Sequence, residues 1–467
     1  MLWNKWWKLV RELRGACART RTFQWMIICL VGMTVRIDIL GVTSIVRALG
    51  LLPACYDRIL DFLHSPALNL DKLTRLWRAL VFRQPGLLRF NGRYVLVCDG
   101  VKVAKSGKKM PAVKKLYQQS ESNTKPDYIL GHSCQAVSVL LKAKESVFAV
   151  PLACRIHEGV VFPNQEKRTL LDKMILLIDS LDITEPFYLV ADNYYASGKI
   201  VRKVLEEGNH LITRVRNNAV VWDFPAEEDA NKPKGRGRPR KYGEKVKLSS
   251  FLDNEEAFLD AESPIYGETG VILRYRTVDR LWRPGGTIVR FVIVRHPRRG
   301  SIFLMSTDLN LSPLDIIKIY GLRFKIEVSF KQALRVIGTF AYHFWMAAMT
   351  PVVRKSKEEY LYLKTQGHHD AVRRKIEAYH RHIQLGLIAQ GLLQILSATD
   401  SKMVWRSFGS WIRTIRPGLA PSEQVVATAL RNTLPEFLSD YEKLPNWAKF
   451  LRDRIDLERS EGIRLVA

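Results

Sequence analysis

Cysteine is sparse and scattered in this chain. The six residues, Cys17, Cys29, Cys55, Cys98, Cys134 and Cys154, include no C-x-x-C pair. Both a zinc knuckle and a disulfide framework are disfavoured, and a reducing cytoplasm fits. Long apolar runs are also lacking. The longest, Trp25 to Val35, is bounded by Arg21 and Arg36 and is too short to span a bilayer. The basic N-terminus, MLWNKWWKLVREL, has Lys and Arg among its apolar residues and no small-residue cleavage site after it. It does not read as a signal peptide, and no membrane partner is expected. No P-loop, Rossmann glycine pattern or nucleophilic Ser/Cys motif is present, and no internal repeat is evident. Acid is in deficit: 46 Asp+Glu face 73 Lys+Arg, a net charge of +27 with a pI near 9.9. Such an excess favours polyanions, with nucleic acid first and anionic membrane second.

What is present is a folded chain. With 467 residues, 47% of them apolar, it can build two to four domains with cores. Residues 1–88 repeat apolar positions at helical steps. GVTSIVRALGLLPACYDRILDFLH reads as helix, Gly-containing turn, helix: a helix-turn-helix for DNA or, more commonly, an ordinary helical hairpin. From residue 92 the period changes. RYVLVCDGVKVA, GHSCQAVSVLLKA, ESVFAVPLACRIHEG, PFYLVADN and HLITRVR read as strands, with helices at TLLDKMILLIDSLD and at Ser197 to Glu207. Strands followed by helices predict an α/β core with part of its sheet parallel. Residues 218–300 break into a basic Gly/Pro-rich stretch and short alternating segments, a mostly β insertion. Ser312, Pro313 and Asp315 signal a helix start, and the pattern from there predicts one long helix carrying residues 320–331. Residues 357–467 return to helix.

On that expected helix Tyr320, Arg323, Glu327 and Lys331 fall at steps of three, four and four, one polar stripe. Ile317, Phe324, Val328 and Leu334 would form the buried face. Asp99 and Asp192 each end an apolar strand, VLVCD and YLVAD. Taken singly, such an Asp is more often a turn former or a helix cap. Together with Glu327 and the basic charge, the three acids could hold two divalent ions about 3.5–4 Å apart. One ion would activate the attacking oxygen, and the other would stabilise the leaving 3′ oxygen.

The order strand-Asp, strand-Asp, long insertion, Tyr-x2-Arg-x3-Glu resembles the DDE transposases of bacterial insertion sequences. More narrowly, it is similar to the branch with a Tyr-x2-Arg-x3-Glu-x6-Lys signature. The similarity covers roughly residues 90 to 350, with DGVKVAKSG, ADNYYAS and YGLRFKIEVSF around the three acids. The resemblance implies an α/β fold: a ribonuclease-H-like catalytic core (89–217 and 301–356) with a mostly β insertion (218–300). Helical N- and C-terminal domains (1–88 and 357–467) would flank it. It also implies Asp99, Asp192 and Glu327 as catalytic ligands of two Mg²⁺ ions, with Mn²⁺ as a substitute. Tyr320 and Arg323 would contact the DNA backbone, Arg323 as a bidentate clamp. One position departs from the pattern. The family lysine would fall at 334, which is Leu here, so Lys331 or Arg335 would take its phosphate contact. A hairpin-forming relative needs an aromatic ring for a flipped base. Trp282 is the candidate, with a core tryptophan the more ordinary alternative.

Two basic stretches complete the DNA-facing set. KPKGRGRPRKYG resembles an AT-hook, with Arg236, Arg238, Arg240 and Lys241 directed into a minor groove, or else is a solvated basic loop. The lysines at 102–115, Lys105 and Lys108 among them, read as a phosphate-tracking surface. His368, His369, His380 and His382 lack companion ligands at metal spacing and read as surface histidines of a helix. The expected protein is a cut-and-paste transposase in a bacterial cytoplasm. It would act on double-stranded element ends and target DNA as a homodimer on DNA. A related nuclease without strand transfer and a spent DNA-binding protein are the alternatives.

Overall fold

The β-branched run before Asp99 forms the first half of a strand, Arg93–Ala104, with Tyr94 to Cys98 all buried. A run buried on both faces belongs inside a sheet. In the computed structural model the described residues are 1–118, 126–164, 166–225, 240–353, 358–409, 415–459 and 462. They divide into two compact units: residues 89–99 with 184–324, and residues 1–88, 100–183 and 325–467. The stretches read as separate N- and C-terminal helical domains fall in the same unit.

In the unit of residues 89–99 and 184–324, Arg93–Ala104 pairs in parallel with Phe187–Ala191, every residue of which is buried. That strand pairs in parallel with His210–Val215. Between them runs the helix Gly198–Glu206. Ser197 caps its start by accepting from the Ile200 amide, and Gly208, at φ 71°, ends it in the left-handed region that glycine tolerates best. The sheet then continues antiparallel through Gly300–Ser306, Thr287–His296 and Ile272–Trp282 to the short strands Val220–Trp222 and Lys245–Lys247. The insertion is mostly β, as expected, and extends the core sheet edge to edge. Trp282 ends its strand at 5% exposure, a core tryptophan closed to a stacking base.

In the other unit the far half of the Arg93–Ala104 strand lies antiparallel to Tyr128–Ala143: the Lys105 amide donates to Leu130 O at 2.8 Å, and Gly100 faces Cys134. Tyr128–Ala143 forms a hairpin with Ser146–Ile156. Each unit thus mixes strands with helices: antiparallel strands in this one, and in the other a parallel set, 93–97, 187–191 and 210–215, continued by antiparallel strands, a mixed α/β fold.

A 34-residue helix, Gln366–Thr399, runs through this unit with its centre buried from Ala378 to Ser397 apart from His380. Helices from both ends of the chain pack together. Trp3, Trp6 and Trp447 have ring centroids 5.3–6.2 Å apart, and the Trp3 indole donates to Leu430 O at 3.1 Å. His380 and His382 are not surface histidines. His380 Nε2 accepts from the Ile156 amide at 3.0 Å, and His382 Nδ1 lies 3.0 Å from Thr339 O. Burial pushes both imidazoles far down, His382 to about 3, so each is a neutral core hydrogen-bonder. No described helix is long and apolar enough to cross a membrane.

One contact in the long helix sets a stability test. Gly391 sits against Trp77, where an added Cβ would come within 2.3 Å of the indole ring. Trp77 is itself fixed, wholly buried and donating to Pro151 O at 2.8 Å. Gly391→Val is expected to lower stability by about 2–3 kcal/mol, because overpacking outweighs the gain in helix propensity. A melting temperature equal to or above the parent's would refute this.

Candidate active site

The register of the two central strands brings the aspartates together. Tyr94 pairs with Phe187 and Val97 with Val190, a constant offset. Continued two residues to the strand ends, it sets Asp99 alongside Asp192, on strands about 4.8 Å apart. Both carboxylates therefore emerge at the C-terminal ends of adjacent parallel strands, where α/β sheets commonly place their ligands. Each is half-buried, and both act on Cys98: burial first, then Asp99 and Asp192, push its thiol well above the ordinary range.

Each aspartate also has local partners. Asp192 caps the short turn Asn193–Tyr195, with Oδ1 accepting from the Tyr194 amide at 3.0 Å. Its carbonyl accepts from Thr213 Oγ1 at 2.7 Å. The capping role and a place in the site therefore coexist. Asp99 accepts from Arg323 Nη1 at 2.9 Å, with the two side chains only 18% and 19% exposed.

Arg323 reaches Asp99 because the expected long helix is broken. The first piece is Pro313–Gly321, capped by Ser312, whose Oγ accepts from the Asp315 amide at 3.1 Å. Residues 322–324 form a turn, and a second helix, Lys325–Gln332, follows. Glu327 thus lies in the first turn of a new helix rather than four turns into a long one, and it is exposed. The break also shifts the buried face. Ile326, Ser329, Ala333 and Ile337 are buried, while Phe324 and Val328 are exposed and Leu334 is intermediate. Of the expected buried face only Ile317 holds its place.

Tyr320 is half-buried beside this turn. Burial pushes its phenol above the ordinary value, against the pull of Arg323 and Arg214, while Asp192 adds to the rise. Arg214 is the residue sequence reasoning overlooked. It is the exposed position of the strand His210–Val215, and a lone arginine in an otherwise apolar strand end was the available signal. A cavity of about 330 Å³ shares Tyr320 and Arg323 with the site. The Tyr266 and Phe324 rings stand 6.2 Å apart on its wall.

The structure brings together Asp99, Asp192, Tyr320 and Arg323 in one unit. Glu327, Lys331 and Arg335 belong to the other unit, and all three are exposed. Lys105 is a correction to the DNA-facing set. At 8% exposure its ammonium donates to Phe340 O and lies 3.8 Å from the Tyr342 ring centroid, so it faces inward. Burial lowers it to about 8. Lys108, Arg240 and Lys241 are exposed. Arg236 and Arg238 lie outside the described residues.

Carboxylate oxygens side by side at a strand edge suit a hard divalent cation, with water and substrate phosphate as further ligands. Asp99 and Asp192 fit as the strand-borne part of such a donor set. Among the described residues no group of three or more His, Cys, Asp or Glu is gathered as a metal site.

Comparison with known proteins gives one family. A model of the DDE superfamily endonucleases matches residues 12–261, more than half of the chain, including Asp99 and Asp192 and ending before Glu327. No curated protein matches. Among solved structures, a cryo-EM structure of a piggyBac transposase synaptic complex with hairpin DNA aligns at 11% identity and a TM-score of 0.38. The alignment covers 96% of this chain and 82% of that one.

Proposed function

The chain belongs to the DDE superfamily endonucleases, and on that premise we propose that it is a cut-and-paste DNA transposase. It cleaves at the ends of its element and transfers the freed 3′-OH to target DNA, with Asp99, Asp192 and Glu327 as the metal-binding acids. The observation that carries the reading is the register that sets Asp99 alongside Asp192 at the ends of parallel strands, with Arg323 on Asp99.

Divalent ions, when bound, supply activation of the attacking oxygen and stabilisation of the leaving 3′ oxygen. The chain supplies the rest. Asp192 is fixed by its own turn and by Thr213, so its carboxylate is preorganised. Arg323 holds Asp99, and a guanidinium fork suits carboxylate and phosphate oxygens alike. Tyr320, kept protonated, can donate to a phosphate oxygen. The +27 charge draws the duplex in. Joining two element ends to one target favours one copy of the chain on each end.

The test uses full-length protein, Mg²⁺, a target plasmid and labelled duplexes from the DNA flanking the gene that encodes this chain. Joining of the labelled 3′ end to plasmid is the expected product. Cleavage without joining would reduce the protein to a nuclease of the same family. Binding without cleavage would leave only the spent DNA-binding reading.

A further inference from the structure

Residues 338–353 form neither helix nor strand, yet their backbone is clamped from several sides. Arg36 donates to Gly338 O at 2.9 Å, Lys105 donates to Phe340 O, and Tyr379 Oη donates to Phe344 O at 2.7 Å. His132 Nδ1 lies 2.8 Å from Tyr342 Oη. Side chains alternate along the ribbon. Phe340, Tyr342, Phe344 and Met346 turn inward, where the Tyr342 and Phe344 rings stack on Tyr379 at 4.6 and 5.3 Å. His343 and Trp345 turn outward.

Buried cations and stacked rings are a costly way to hold an irregular loop. Here they fix the two outward rings in place. Trp345 is 54% exposed, and His343 stacks on it with centroids 6.3 Å apart and planes at 23°. Burial, then Lys105, keep the His343 imidazole below its ordinary value, so it is a neutral aromatic face at pH 7. The lysine segment is tied to the ribbon through its backbone. The Met346 amide donates to Lys109 O at 3.0 Å, the Val352 amide donates to Lys108 O at 2.6 Å, and Lys109 Nζ reaches Ala347 O at 3.0 Å. The Trp345 ring itself lies against Gly107, whose added Cβ would be 3.2 Å away.

We propose that His343 and Trp345 form a stacking platform for the base of an unpaired nucleotide, with Lys108 and Lys109 taking the adjoining phosphates. A half-exposed indole, on a segment tied to the backbone of two lysines, suits single-stranded nucleic acid, whose bases expose their π faces. In a duplex those faces are already covered by neighbouring base pairs, so the platform discriminates strand state rather than sequence. The inference rests on DNA being the substrate, and it is independent of the metal site and of catalysis.

The test is fluorescence anisotropy of the full-length chain in EDTA, with a labelled oligothymidylate and a duplex of equal length. Trp345→Ala is expected to weaken single-strand binding about tenfold, with duplex affinity within about twofold. Trp345→Phe should keep most of the affinity. Lys108→Ala with Lys109→Ala should flatten the salt dependence of single-strand binding. Unchanged single-strand affinity in Trp345→Ala overturns the proposal, as does equal weakening of both probes. So does a change in self-association by light scattering, which would make this face a contact between copies. Selective single-strand loss in Trp345→Ala alongside an inactive parent would uphold the platform and sink the transposase reading.

Discussion

Asp192→Asn is expected to bind duplex DNA as the parent does and to lose divalent-metal-dependent cleavage by on the order of 10³-fold, about 4 kcal/mol. The substitution isolates charge from shape. Asparagine keeps a carbonyl oxygen to accept from the Tyr194 amide, so the turn Asn193–Tyr195 can form, and Thr213 bonds to the backbone carbonyl, which is untouched. What goes is the anionic oxygen that a divalent ion needs. Glu327→Gln should match it. Glu327 is exposed in the first turn of Lys325–Gln332, and glutamine is as good a helix former, so folding is not at stake. Melting temperature, duplex Kd and the cleavage rate in Mg²⁺ make the comparison. Full cleavage by Glu327→Gln would strike that residue from the acids and leave the two aspartates in need of another partner.

The aspartates were legible because their signal is local. Five buried residues of a strand followed by an acid is a pattern that any central parallel strand imposes, and both strands show it. Their adjacency was not legible, since a register between strands some ninety residues apart leaves no mark in either segment. The helix at 320–331 failed for the opposite reason. Its period was genuine, but the turn at 322–324 resets the phase, so Ile326 is buried where Phe324 was expected, and Arg323 in that turn meets Asp99. Lys105 shows the same limit. Six lysines within fourteen residues look like a surface. The ring and carbonyls that draw Lys105 inward belong to residues 340–342, far along the chain. Propensity and spacing revealed elements and their ends, and long-range pairs decided which side chains those elements presented.

Arg323→Ala is expected to slow cleavage about 10²- to 10³-fold while duplex affinity changes no more than about threefold. The guanidinium lies between two demands. It pairs with Asp99 at 2.9 Å, and it opposes the rise that burial gives the Tyr320 phenol, so one guanidinium acts on both neighbours. At 18–19% exposure the pair is shielded from water enough for the loss of one partner to matter, unlike a surface ion pair. Affinity should hold because 73 basic residues supply it and one is removed. Arg323→Lys separates charge from geometry. Lysine restores a point charge without the planar fork, so it should recover part of the rate and fall short of the parent by about tenfold. Full recovery by lysine would reduce Arg323 to a counter-charge. A drop in duplex affinity at an unchanged cleavage rate would make it a residue of binding alone, and the turn at 322–324 would then have no catalytic reason to break the helix.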